Sequence, residues 1–118
     1  MNAGGHDSRL HEYLGQMLIA TTDALDFVEG MGKDDFLGDR RTQQAVVMSI
    51  IILGEAATRI MDQHPDFAAE HPEIAWRSMR GMRNRSAHGY FETDFELVWE
   101  TVRSALPKLK KQLAAIAA

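Results

Sequence analysis

Apolar positions recur at helical spacing along almost the whole chain. Leu10, Leu14, Met17, Thr21, Leu25 and Val28 follow one another at steps of three and four. Leu18 widens that stripe, while Glu12, Gln16, Asp23 and Asp26 fall largely off it. This is the period of an amphipathic helix, predicted over residues 9–29. Asp7 or Ser8 suits its N-cap. Gly30 and Gly32 suit its end, because glycine accepts the left-handed conformation of a C-cap at little cost.

A second helix is predicted from Asp39 to Asp62. Val46, Val47, Ile50, Leu53, Ala57 and Ile60, with Ala45, Ile51, Ile52, Ala56 and Met61, cover more than one face. Three consecutive isoleucines suit a strand, but the apolar residues keep helical spacing for over four turns, between flanks rich in Gln, Ala, Met and Glu. A helix apolar around more than half its circumference is either central in its fold or the face of an oligomer. Gly54 weakens such a helix and is expected where a neighbouring backbone comes close.

The stretch QHPDFAAEHP, residues 63–72, reads as a polar connection. Pro72 suits the first turn of a third, shorter helix over 73–87, with Ile74, Trp76, Met79 and Met82 as its apolar contacts and Gly89 as terminator. TDFE, residues 93–96, has the form of a capping box with Thr93 as cap. The last helix then runs over 94–115 on Phe95, Val98, Trp99, Val102, Leu106 and Leu109, continuing to Leu113 and Ile116, and Pro107 should kink it. The expectation is an all-α fold, an antiparallel four-helix bundle with one or two additional short helices, forming one domain over 1–118.

At 45% apolar and 25% charged residues, the composition argues against disorder. No cysteine is present, which excludes disulfides, thiolate metal sites and thiol catalysis and fits a reducing cytoplasm. No basic-then-apolar leader is visible. The greasiest stretch, AVVMSIIILGEAA, is broken by Ser49 and falls short of the roughly 20 residues that cross a bilayer. The chain therefore reads as soluble and cytoplasmic, with no membrane partner. Its net charge of −4 argues against a general nucleic-acid coat but conceals an asymmetry. Residues 1–76 carry 13 acids and 5 bases, residues 77–118 carry 4 acids and 8 bases, and residues 77–85 hold four arginines and no acid. A polyanion would meet the chain there; equally, a bundle needs oppositely charged flanks to face one another.

That basic segment runs into RNRSAHGY, residues 83–90. Arg77, Arg80, Arg83 and Asn84 lie three or four apart, hence along one side of the third helix, and His88 follows at its end. A guanidinium fork matches phosphate oxygens, and histidine exchanges protons near neutral pH. Together they suit binding of a phosphodiester and proton transfer at a ribose hydroxyl. The other readings stay open: a non-catalytic anion or protein patch, or cations that cap a helix C-terminus, with Tyr90 packing against the last helix. His6, His11, His64 and His71 show no metal-ligand spacing, so neither metal nor cofactor is expected.

Arg83, Asn84, His88 and Tyr90 fit without departure the arginine, polar residue, three residues, histidine, one residue, tyrosine signature of HepT-type proteins. MRGMRNRSAHGYFE, residues 79–92, resembles that signature, and ILGEAA, residues 52–57, resembles the family's Gly-Glu-Ala segment. By these residues the chain resembles HepT-type proteins of the HEPN superfamily along nearly its whole length. The resemblance implies a helical homodimer whose motif residues share a cleft, and a metal-independent ribonuclease toxin acting on RNA, with tRNA a target suggested by the family. Arg83 and His88 would be catalytic and Asn84 supporting, with Arg77, Arg80 and Arg85 on the RNA. Glu55 would either pair with an arginine across the cleft or merely satisfy a helix surface. A small nucleotidyltransferase antitoxin of MntA type would transfer AMP to Tyr90. Some relatives are instead described as non-catalytic partners of a nucleotidyltransferase.

Overall fold

The computed structural model describes residues 3–117, with side chains from 9 to 116. Helix α1 spans Ala3–Phe27, α2 Lys33–Leu37, α3 Arg40–Gln63, α4 Pro65–Glu70 and α5 Trp76–His88. After a 3-10 turn at Tyr90–Glu92 come α6 (Phe95–Glu100), a π-helical turn (Thr101–Ala105) and α7 (Leu106–Ala117), which together form one continuous rod. Among the described residues there is no strand.

The expected four long elements are present, but the fold is not a simple four-helix bundle with one short addition. Both α2 and α4 are short helices, and α4 lies inside the stretch expected to be a polar connection. Pro65, at the first turn of α4, takes the role expected of Pro72. Five or six residues are too few to show a helical period, which is why the pattern conceals them.

Ends differ in instructive ways. The first helix begins at Ala3, so Asp7 and Ser8 lie within its backbone rather than at its cap, and their side chains are outside the described residues. Gly30 does turn the chain, at φ 80°. Gly32 instead opens α2, its N–H donating to Asp35 Oδ2 at 2.9 Å. Asp39 caps α3 through the Thr42 N–H and hydroxyl, and these bonds hold its carboxyl below the usual carboxylate range. Asp94, not Thr93, caps α6, accepting from the Glu96 and Leu97 N–H groups. Glu96 is drawn away to Lys33 at 2.8 Å.

At Pro107 the final helix continues through a wider turn. Proline has no N–H to give to the carbonyl one turn back. The backbone loosens just before it, where the Leu106 N–H reaches the Thr101 carbonyl five residues earlier.

Helix α3 is the central element, packed by α1 on one side and α5 on the other. Tyr13, near the middle of α1, donates to Gln63 at the end of α3 at 3.2 Å. Met17, Phe36, Val46, Ile60 and Val102 are fully buried in the shared core. Phe36 stacks obliquely on Trp99, 5.5 Å between ring centres, tying α2 to α6. By length and composition α3 also passes for a membrane-crossing helix, although half of its most apolar window is buried within the fold, as a core helix would be.

Candidate active site

Gly54 is where α3 and α5 meet. A Cβ built there would lie 2.7 Å from the Met79 carbonyl oxygen and closer still to Arg83 Cβ, so only glycine admits this approach. The expected return for its poor helix propensity is therefore observed. The contact seats Arg83 directly against α3.

Along α3, Glu55, Thr58 and Asp62 form a polar row at three- and four-residue spacing, opposite Arg83 and Arg80. One Arg83 terminal nitrogen lies 3.4 Å from Glu55 and the other donates to Thr58 Oγ1 at 3.1 Å. Its Nε is buried and makes no hydrogen bond. Arg80 pairs with Asp62 at 2.8 Å and sends Nε towards Thr58 at 3.5 Å. The Thr58 hydroxyl donates its own proton to the Gly54 carbonyl at 2.7 Å, which turns its lone pairs to the two guanidinium groups. Glu55 also takes Arg59 at 3.3 Å, so one carboxylate joins two arginines.

Thr58 was not singled out by the sequence, although polar residues at 55, 58 and 62 on an otherwise apolar helix mark such a row. Glu55 thus meets Arg83 of the facing helix and Arg59 of its own helix.

The motif residues do not all share that row. Five residues separate Arg83 from His88, about 140° around an α-helix. Arg83 turns to α3, whereas His88 is exposed on another side of α5. Arg77 and Arg85 line a groove between α5 and the final rod, and Arg77 also borders a second hollow together with Arg80. Of the row of Arg77, Arg80, Arg83 and Asn84 expected from spacing, Arg80 and Arg83 meet at Thr58, whereas Asn84 is exposed. Asn84 and His88 are exposed, and among the described residues their side chains make no hydrogen bond or ion pair. Tyr90 packs edge-on against Phe91 and Phe95, and its hydroxyl has no hydrogen-bond partner among the described residues.

The family described as "Ribonuclease HepT-like" matches residues 17–116. The chain belongs to this family. It is similar to the "Probable ribonuclease HepT" of Thermococcus cleftensis, 38% identical over 84% of this chain and 87% of the relative. A provisionally named RNase of Methanocaldococcus jannaschii is 32% identical, covering 88% of this chain and 84% of its own. Another, from Caldanaerobacter subterraneus subsp. tengcongensis, is 31% identical over 88% and 90%. No solved structure matches at a significant level. Family membership supports a nuclease-type role for this HepT-like chain, and RNA as the kind of molecule it meets.

Proposed function

We propose that this HepT-like protein is a ribonuclease toxin that cleaves RNA by internal attack of a ribose 2′-hydroxyl on the adjacent phosphorus. The 2′-oxygen–phosphorus bond forms and the 5′-oxygen–phosphorus bond breaks, leaving a 2′,3′-cyclic phosphate and a 5′-hydroxyl. His88 takes the 2′-proton, and an imidazolium returns one to the leaving oxygen. Arg83 stabilises charge growing on the phosphate oxygens, Asn84 orients His88 or an oxygen, and Arg77, Arg80 and Arg85 hold flanking phosphates. A single-stranded loop or end, as in tRNA, is what an open face of this kind reaches.

The observation that carries this reading is the contrast between a braced Arg83 and an uncommitted, exposed His88 in a chain of a ribonuclease family. Because the two point apart within one protomer, the working site is assigned to a homodimer in which His88 of one copy meets Arg83 of the other. Met48 and Ile52 support that assembly. They are 55% and 43% exposed on α3, in line with Glu55 one turn further on.

A second reading rests on one observation, that Arg83 is already neutralised by Glu55. In it, the protein is a non-catalytic adaptor docking a small nucleotidyltransferase. Incubation with single-stranded RNA in EDTA separates the two. Cleavage ending in cyclic phosphate, lost in His88→Ala, is expected. Equal cleavage by His88→Ala, or no cleavage by wild-type protein that binds a nucleotidyltransferase tightly, would remove the enzymatic reading.

Control by an MntA-type antitoxin is assigned to Tyr90. Its oxygen would attack the α-phosphorus of ATP with loss of pyrophosphate, adding a bulky anion close to the arginines. Among the described residues the hydroxyl makes no hydrogen bond that would have to be broken first.

A further inference from the structure

Helix α5 and the final rod diverge and leave between them a groove of about 620 Å³. Ile50 and Leu53 from α3, Met79 and Met82 from α5, and Leu106 and Leu109 from α7 give it an apolar lining. Arg77, Arg85 and Lys108 are the cations at its rim, all exposed and, among the described residues, without hydrogen bond or ion pair. Glu73 is the carboxylate among its lining residues and stands at the far end from Arg85, engaged by His71 at 3.1 Å.

Three polar side chains of the wall are partly committed to backbone carbonyls. Thr101 and Ser104, in the π-helical turn, donate their hydroxyl protons to the Leu97 and Glu100 carbonyls at 2.9 and 2.6 Å. Gln112 spends its amide N–H on the Glu73 carbonyl at 3.1 Å. Thr101 and Ser104 keep oxygen lone pairs, while Gln112 keeps its carbonyl oxygen and a second N–H, and the Ser78 hydroxyl also lies in the lining. The groove thus offers an apolar bed, hydrogen-bonding groups of both kinds on its walls, and cations at its mouth.

A ligand that satisfies all three has a flat apolar body, hydrogen-bonding groups at its edge and a negative charge beside it. A nucleotide has this form. Methionines conform readily to a planar ring, and the volume lies in the range of small-molecule pockets rather than of a long helix-binding trough. Arg85 precedes His88 by three residues on the same side of α5, so a phosphate held by Arg85 adjoins the motif histidine.

We propose that this groove is a nucleotide subsite that takes one unpaired base of an RNA strand, with its phosphate on Arg77, Arg85 and Lys108. The inference rests on the ribonuclease reading above and gives it a substrate contact outside the Arg83–Glu55–Thr58 cluster.

The chain has seven methionines, two of them in the groove and Met48 exposed on another helix. Methyl-labelled methionine in the full-length His88→Ala protein therefore reports occupancy without cleavage. Added 5′-AMP should move the Met79 and Met82 signals and leave Met48 in place, and ribose 5-phosphate should do neither. An adenosine trinucleotide should bind about tenfold more tightly than AMP and weaken with salt. Gly81→Leu fills the groove, and its Cβ meets only the Arg85 guanidinium, at 3.4 Å. It should abolish the response. Gly15→Leu on α1, with nothing within 4 Å, should retain it.

Unmoved Met79 and Met82 signals, an equal response to ribose 5-phosphate, or wild-type trinucleotide binding by Gly81→Leu would overturn the proposal. AMP binding as tight as the trinucleotide's would overturn its assignment to a strand. A response to an acidic amphipathic peptide but not to AMP would overturn it in favour of a protein partner. RNA cleavage by the wild-type protein, run alongside, keeps the two readings apart. Cleavage with a silent groove removes this inference alone, whereas an occupied groove without cleavage supports it and removes the ribonuclease reading.

Discussion

Arg83 is held before any substrate arrives, and Thr58 is the residue that fixes its pose. The hydroxyl accepts from Arg83 at 3.1 Å while its own proton is committed to Gly54. Thr58→Val keeps the shape and removes the acceptor. A hydrogen bond to a charged group is worth about 1.5–3 kcal/mol, so RNA cleavage should fall about tenfold or more, and Thr58→Ser should restore it. Circular dichroism checks that both variants are folded. Loss of cleavage in the serine variant as well would show that Thr58 acts through packing alone.

At Tyr90 the expected outcome is equally specific. Mass spectrometry after incubation with ATP, magnesium and a nucleotidyltransferase of MntA type should show added adenylate on the wild type and none on Tyr90→Phe. Equal labelling of the variant would place the modification elsewhere. Arg83, Asn84, His88 and Tyr90 stand out in the sequence as candidates because they carry their chemistry in their side chains. Their directions were not legible there, since a five-residue interval separates Arg83 from His88 around the helix.

At the scale of elements, close contact of α3 with α5 brings Arg83 to Glu55 and Thr58. Gly54→Ala should destabilise the fold by about 1–3 kcal/mol, the usual cost of overpacking, seen as a lower denaturant midpoint with an unchanged slope. A neutral outcome would mean that the helices separate freely, and that Arg83 is not held by their contact. The long helices were legible because Leu10 to Val28 and Phe95 to Ile116 sustain a period over several turns. The close approach at Gly54 was legible as well, from a glycine kept in an otherwise strong helix. Helices α2 and α4 were not, being too short for any period. The cap of α6 passed from Thr93 to Asp94 because the neighbouring acid reaches the same N–H groups, and Lys33, far away in sequence, claims Glu96. Such competition is settled by tertiary neighbours and leaves no local mark.

The whole molecule raises the question that one protomer leaves open. Ile19, Met48 and Ile52 are 62%, 55% and 43% exposed, an apolar surface of the kind that oligomers cover. A two-fold axis through such a surface makes each contact twice and sets identical clefts on both copies. It would let His88 of one protomer work with Arg83 of its partner, which the geometry within a single α5 does not. The central claim is therefore that catalysis needs both residues and draws them from two chains. It is tested most directly by mixing the Arg83→Ala and His88→Ala proteins, exchanging subunits and assaying RNA cleavage. Each variant alone should be inactive. The mixture should recover about a quarter of wild-type activity, since half of randomly paired dimers are mixed and each holds one intact site. A mixture that remains inactive although mass analysis shows mixed dimers, or substantial activity in either variant alone, would contradict the account.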